Sequence, residues 1–136
     1  MGQRRVAREA TITILYLMDI GGLPLKEASL SFWRENDAPK SVKEFANLLT
    51  EGTKNNLSKI DKLISQHAQN WELKRMASID RTILRMATFE LINQLDTPAN
   101  VIIDEAIEIA KKYSTAESGK FVNGILDKIK EEVRKK

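Results

Sequence analysis

The residues of this chain whose types could support chemistry are few, and their grouping points to binding rather than catalysis. Histidine occurs once, as His67 on a polar stretch, and cysteine is absent. A Ser–His–Asp constellation would depend on that one histidine, which sits in no recognisable catalytic context. Glu105 and Glu108 have the spacing of one part of a carboxylate-bridged metal site. The Glu-x-x-His element of such sites is missing, so a solvated helix face is the better reading. No P-loop, dinucleotide-binding glycine pattern or nucleophile elbow is present. No catalytic residue, metal or cofactor is expected.

The arginines near the N-terminus are more informative. On a helical wheel Arg4, Arg5 and Arg8 lie opposite a core stripe of Val6, Ala10, Ile14 and Leu17, and Ile12 and Tyr16 continue the same outer face. Arginine grips phosphate with two parallel donors and stacks on bases, and tyrosine stacks on a splayed base. The plainer alternative is a Tyr16 packed under the second helix with Arg4 and Arg5 merely solvated. A second candidate surface lies near the C-terminus, where Lys120, Asn123, Gly124 and Asp127 share an outer face bordered by Phe121. A glycine in mid-helix costs about 1 kcal/mol relative to alanine and often marks close approach by a ligand or another backbone.

These residues need helices to hold them. Proline occurs only at 24, 39 and 98, and the segments between show a 3.6-residue apolar period with no sustained alternation. The fold class is therefore all-α, with no β-sheet. A first helix over about 3–19 ends at Gly21-Gly22. A second, about 25–36, carries Leu25, Ala28, Phe32 and Trp33. Ser41 is positioned to cap a long third helix with Val42, Phe45, Leu49, Leu57, Ile60, Leu63 and Ile64 inside and a kink at Gly52. After a connector at 70–77, Ser78 is placed to cap a central helix of about 79–95 with Ile79, Ile83, Leu84, Ala87, Leu91 and Leu95 inward. Thr97-Pro98 opens a helix to about 113. A last helix, about 116–134, buries Val122, Ile125, Leu126, Ile129 and Val133. Residues 1–68 and 71–136 then form two packed three-helix bundles within one domain.

A chain of 136 residues with 42% hydrophobic and 30% charged residues can bury a real core. The net charge of +3 is carried by the ends. Arg4, Arg5 and Arg8 against Glu9 leave +2 over residues 1–10, and residues 128–136, ending in Arg134, Lys135 and Lys136, leave +3. That asymmetry suits a polyanionic partner. No membrane span, secretory leader or lipidation signal is expected, and absent cysteine suits a reducing cytoplasm.

Four segments together are similar to the NusB family of bacterial transcription antitermination factors: RRVAREATITILY (4–16), DRTILRMATFEL (80–91), TPANVIIDEAIEIAKKYS (97–114) and KFVNGILDKI (120–129). The resemblance implies two three-helix bundles and binding of the boxA element of ribosomal-RNA leaders as single-stranded RNA. Binding would occur together with ribosomal protein NusE, in an antitermination complex with RNA polymerase. It implies RNA contacts at Arg4, Arg5, Arg8 and Tyr16, and at Tyr113, Glu117, Lys120, Phe121 and Asn123. Glu117 would repel phosphate and tune affinity downward. Asp80 and Arg85 are implied for the NusE surface. The arginine run is shorter than the family often has, which implies weak RNA binding without NusE. Two other readings stand beside this one. A homodimer could mask the RNA surface through Ile12 and Tyr16. NusB-like domains also occur as RNA-binding modules fused to RNA cytosine methyltransferases, although this chain has no nucleotide-binding half and is not expected to be an enzyme.

Overall fold

The computed structural model describes residues 2–69 and 71–134. Among them the fold is all-helical: α1 (Gln3–Asp19), α2 (Leu25–Glu35), α3 (Lys40–Asn55), α4 (Leu57–His67), a short 3-10 turn (Leu73–Arg75), α5 (Ser78–Asn93), α6 (Ala99–Tyr113) and α7 (Ala116–Val133). Lys135 and Lys136, part of the expected basic C-terminus, lie outside the described residues.

Local chemistry sets most boundaries. α1 stops at a turn in which Gly22 takes φ +69°, a conformation that side chains disfavour. Prolines 24, 39 and 98 each stand immediately before a helix, where a missing N–H costs nothing. Thr115 caps α7 by accepting from the Ser118 backbone N–H at 3.1 Å. The expected caps Ser41 and Ser78 instead lie inside their helices, with Pro39 and Ala77 at the cap positions and no side-chain cap bond. Thr97 likewise precedes Pro98 without capping α6.

The long third helix of the sequence reading is two helices. The chain breaks at Asn56, whose side-chain amide donates to the Gly52 carbonyl at 2.8 Å and ends α3. Gly52 is not the kink. It makes room for Phe89: a Cβ at Gly52 would lie 2.0 Å from the ring's Cζ.

α5 runs through the centre, touching α1, α3, α4, α6 and α7. The larger apolar core joins Leu49, Ile60 and Ile64 to Ile83, Leu84, Leu91, Ile102, Ile109, Leu126 and Ile129, so it crosses the expected boundary between the halves. A smaller cluster of Ala7, Ala10, Val42 and Ala46 is covered by Phe32, Trp33 and Phe45. Leu95, expected inside, is exposed beyond the end of α5.

The orientation of α1 differs most from expectation. Ala7, Arg8, Ala10, Thr11, Ile12, Ile14 and Leu15 are buried, whereas Val6 is exposed. At 100° per residue the buried arc spans about 200° of the circumference. The helix is wedged between α3 and α5, so a single apolar stripe does not describe it. Arg8 and Ile12, placed outside by the wheel, belong to this buried arc.

Candidate nucleic-acid interface

The N-terminal turns of α1 lie against α6 and α5, and the arginines meet carboxylates there. Arg5 forms a two-pronged pair with Glu105 of α6, Nε to Oε1 at 2.5 Å and Nη2 to Oε2 at 2.7 Å. Arg8, one turn further, is 3% exposed and makes the same fork with Glu90 of α5, at 2.9 and 2.8 Å. Arg8 also approaches Glu105 at 3.6 Å. Arg4 is exposed, with its guanidinium carbon 3.9 Å from the centroid of the Phe45 ring, a cation–π contact that leaves its donors open. These residues border a cleft of about 350 Å³ closed on the far side by Thr97 and Val101.

Arg8 therefore cannot offer its fork to a ligand without unmaking a buried ion pair, and Ile12 is too enclosed to serve as a dimer contact. Tyr16 is half-buried. The arginine-rich face narrows to Arg4 and Arg5. It is extended by α6 instead: Tyr113 donates from its hydroxyl to Glu9 Oε1 at 2.6 Å, and Lys112 reaches the same carboxylate at 3.0 Å. Burial first, then the bond to Glu9, raises the Tyr113 phenol pKa. The bond to Arg5 is the main reason the Glu105 carboxyl lies below its ordinary range, and the Arg5 guanidinium is raised by the same bond. Lys112 and the two glutamates were missed as members of this site. The available signal, for Glu105 alone, was the Asp104, Glu105 and Glu108 carboxylates of α6 set against the arginines of α1.

The second surface gathers around the start of α7. Glu117, Lys120 and Asn123 are exposed, and Lys120 lies 3.6 Å from Glu117. Phe121 meets the exposed Trp71 edge-to-face at 5.8 Å. No atom of the protein approaches a Cβ position at Gly124, so the glycine opens on bare surface. Asp80 belongs here too. It lines a cleft of about 320 Å³ with Trp71, Glu117, Ser118 and Phe121. Its Oδ2 accepts from the Ser118 hydroxyl at 3.2 Å and its Oδ1 has no partner. Burial raises the Asp80 carboxyl pKa.

Arg85 is not beside Asp80. It pairs with Asp61 at 2.9 and 3.0 Å, while Arg81 holds Asp19 at 2.6 Å. Both arginines border a separate cleft with Glu72, Leu73 and Lys74. The two residues expected on one partner surface thus point to different clefts. Among the described residues no group of three or more His, Asp or Glu side chains could hold a metal ion, and no helix is long and apolar enough to cross a membrane.

Comparison with known proteins places this geometry. Residues 5–131 match the model of the NusB family. The transcription antitermination protein NusB of Syntrophotalea carbinolica is 46% identical, over 94% of this chain and 92% of that protein. A crystal form of T. maritima NusB superposes with a TM-score of 0.86 at 44% identity, covering 95% of this chain and 91% of that one. A crystal structure of the antitermination factors NusB and NusE in complex with double-stranded RNA gives 0.89 at 27% identity, covering 96% and 97%. The chain, with its arginine-bearing α1 laid against an acidic α6, belongs to the NusB family.

Proposed function

We propose that this chain is a transcription antitermination factor that binds boxA-type single-stranded RNA of ribosomal-RNA leaders. It does so together with ribosomal protein NusE, within an RNA polymerase antitermination complex in the cytoplasm. The observation that carries the reading is the seam of Arg4, Arg5 and Lys112 beside Tyr113, in a member of a family with a solved NusB–NusE–RNA relative. Arg4 meets no carboxylate among the described residues, while Arg5 and Lys112 are held by Glu105 and Glu9. Arg4 and Arg5 meet phosphate, and Tyr113 offers a ring to a base. Arg8 acts from inside, fixing the turn of α1 that presents them. The α7 surface of Lys120, Phe121 and Asn123 continues the RNA path, with Asp80 at the bottom of its cleft and Glu117 opposing phosphate. Tyr16 is grouped with the α1 face. Arg85, with Arg81 at its side, faces NusE.

The test is a titration of boxA-type RNA with NusE present, using the Arg4→Ala plus Arg5→Ala protein. Loss of two charge-assisted phosphate contacts weakens binding about tenfold or more. It also flattens the salt dependence by about 1.4 in log–log slope for single-stranded RNA. An unchanged affinity and slope would remove this face from the RNA site.

A further inference from the structure

Arg5 is the residue best placed to grip a phosphate, yet its fork is already filled. Glu105 takes both the Nε–H and an Nη2–H, in the bidentate geometry that a phosphate would use. A second pair, Arg8–Glu90, clamps the same helix one turn deeper, with both side chains almost wholly enclosed. Arg5 and Glu105, by contrast, are 19% and 23% exposed, at the wall of an open cleft shared with Arg4. A phosphate entering that cleft meets a carboxylate first. Either Arg5 exchanges one oxyanion for another, or it stays paired and Glu105 repels the chain. Both routes cost affinity.

We propose that Glu105 is a built-in competitor for RNA: it occupies the Arg5 fork in the free protein, holds it extended, and lowers RNA affinity by the strength of the pair that must be exchanged. This inference rests on the reading of Arg5 as a phosphate contact and adds a role for a residue outside that contact set. Arg8 stays with Glu90 during the exchange, since its fork is enclosed and fully used. Glu108, one turn along α6, pairs with Lys111 at 3.6 Å on open surface and has no such role.

The experiment is a double-mutant cycle on the full chain, reading affinity for a single-stranded boxA-type oligoribonucleotide with NusE present. Glu105→Gln keeps the shape of the side chain and one acceptor, and removes the charge. It tightens binding about three- to tenfold, as expected for release of a partly buried bidentate pair. Glu108→Gln, the charge-matched control, changes affinity less than twofold. Arg5→Ala costs more in the Glu105→Gln background than in the wild type, because the fork is then free to bind RNA. Equal cost in both backgrounds, or equal tightening by Glu108→Gln, overturns the proposal and leaves Arg5 as a contact. Weaker binding by a Glu105→Gln protein with an unchanged melting temperature makes Glu105 a positioning residue and also overturns it. No cost of Arg5→Ala in either background removes the RNA face itself. A measurement without any variant stands beside the cycle. On the wild-type protein the Glu105 side-chain carboxyl carbon resonance shifts when RNA is added, since the carboxylate loses two donors, and a resonance that stays put contradicts exchange.

Discussion

Two ion pairs leave the same face of α1 one turn apart, and they do different work. Arg8–Glu90 joins α1 to the central helix with side chains 4% and 1% exposed. Arg5–Glu105 joins α1 to α6 with side chains 19% and 23% exposed. Donor, acceptor and two-pronged geometry are the same, although Glu105 also has Arg8 at 3.6 Å. The main difference is depth, and depth decides whether a pair can be exchanged. A buried pair holds two charges that have already lost their water, so neither can leave without stranding the other. A pair at a cleft wall keeps part of its hydration and can trade one oxyanion for another.

The comparison breaks most visibly at the inner pair. Arg8→Ala leaves Glu90 buried and unpaired, and is expected to destabilise the fold by about 3–5 kcal/mol in urea unfolding. Arg8→Met with Glu90→Met should recover most of that loss, because two apolar side chains replace two charges. A double variant no more stable than Arg8→Ala would mean that the pair supplies fold-specific geometry beyond satisfying itself.

The next effect concerns the C-terminal end of α5. Arg134 donates to the carbonyls of Leu91 at 2.7 Å, Thr97 and Gln94 at 3.0 Å, and Glu90 at 3.4 Å. It thereby closes the end of α5: the Leu91 and Thr97 carbonyls are met by the guanidinium, while those of Glu90 and Gln94 also accept from the Gln94 and Thr97 backbone N–H groups at 2.8 and 3.0 Å. Arg134→Ala is expected to cost about 1–3 kcal/mol by leaving the Leu91 and Thr97 carbonyls unsatisfied. Amide exchange near Gln94 and Thr97 should speed up as well. A variant with unchanged stability would show that water substitutes for the guanidinium. Charge counting had treated Arg134 as part of a basic tail for a polyanion, but four carbonyls occupy it.

That reversal shows what could and could not be read from the chain alone. Helix class and most ends were legible, because proline, glycine and the 3.6-residue period act within a few residues of one another. The start of α6 follows from Pro98 in this way, whereas the cap of α7 by Thr115 came to light only in the structure. The break at Asn56 was not legible, since the apolar period runs on through Leu57, Ile60 and Ile64 and only packing against α5 reveals two axes. The inner face of α1 was not legible either. An arginine looks external until its partner is known, and Glu90 lies 82 positions away. Asp80 and Arg85 share one helix but border separate clefts, each made partly by another segment: Trp71 and α7 for one, Asp19 and the 3-10 turn for the other. Family likeness could name these residues as functional without saying which of them could reach a ligand together.

The smallest expected effect is a dependence on pH, and it has opposite signs at the two surfaces. Glu105 has a lowered pKa in the folded protein, mainly from its bond to Arg5. Its contribution to stability is therefore present above the ordinary carboxylate range and is lost as pH falls through the lowered value. Asp80 has a raised pKa, because burial disfavours its charge. Its ionisation opposes folding at neutral pH, and that penalty is relieved as pH falls through the raised value. On acidification the Asp80 penalty lifts first, and the Glu105 contribution fades at lower pH. Urea unfolding at a series of pH values should follow this order. The advantage of wild type over Glu105→Gln, below about 1 kcal/mol for a partly exposed pair, shrinks toward acid. The advantage of Asp80→Asn over wild type also shrinks toward acid, at a higher pH. If both substitutions changed stability in the same direction at neutral pH, the carboxylate of the α1–α6 seam and that of the α7 cleft would sit in equivalent surroundings. Partner charge on one side and solitary burial on the other would then no longer distinguish the two surfaces.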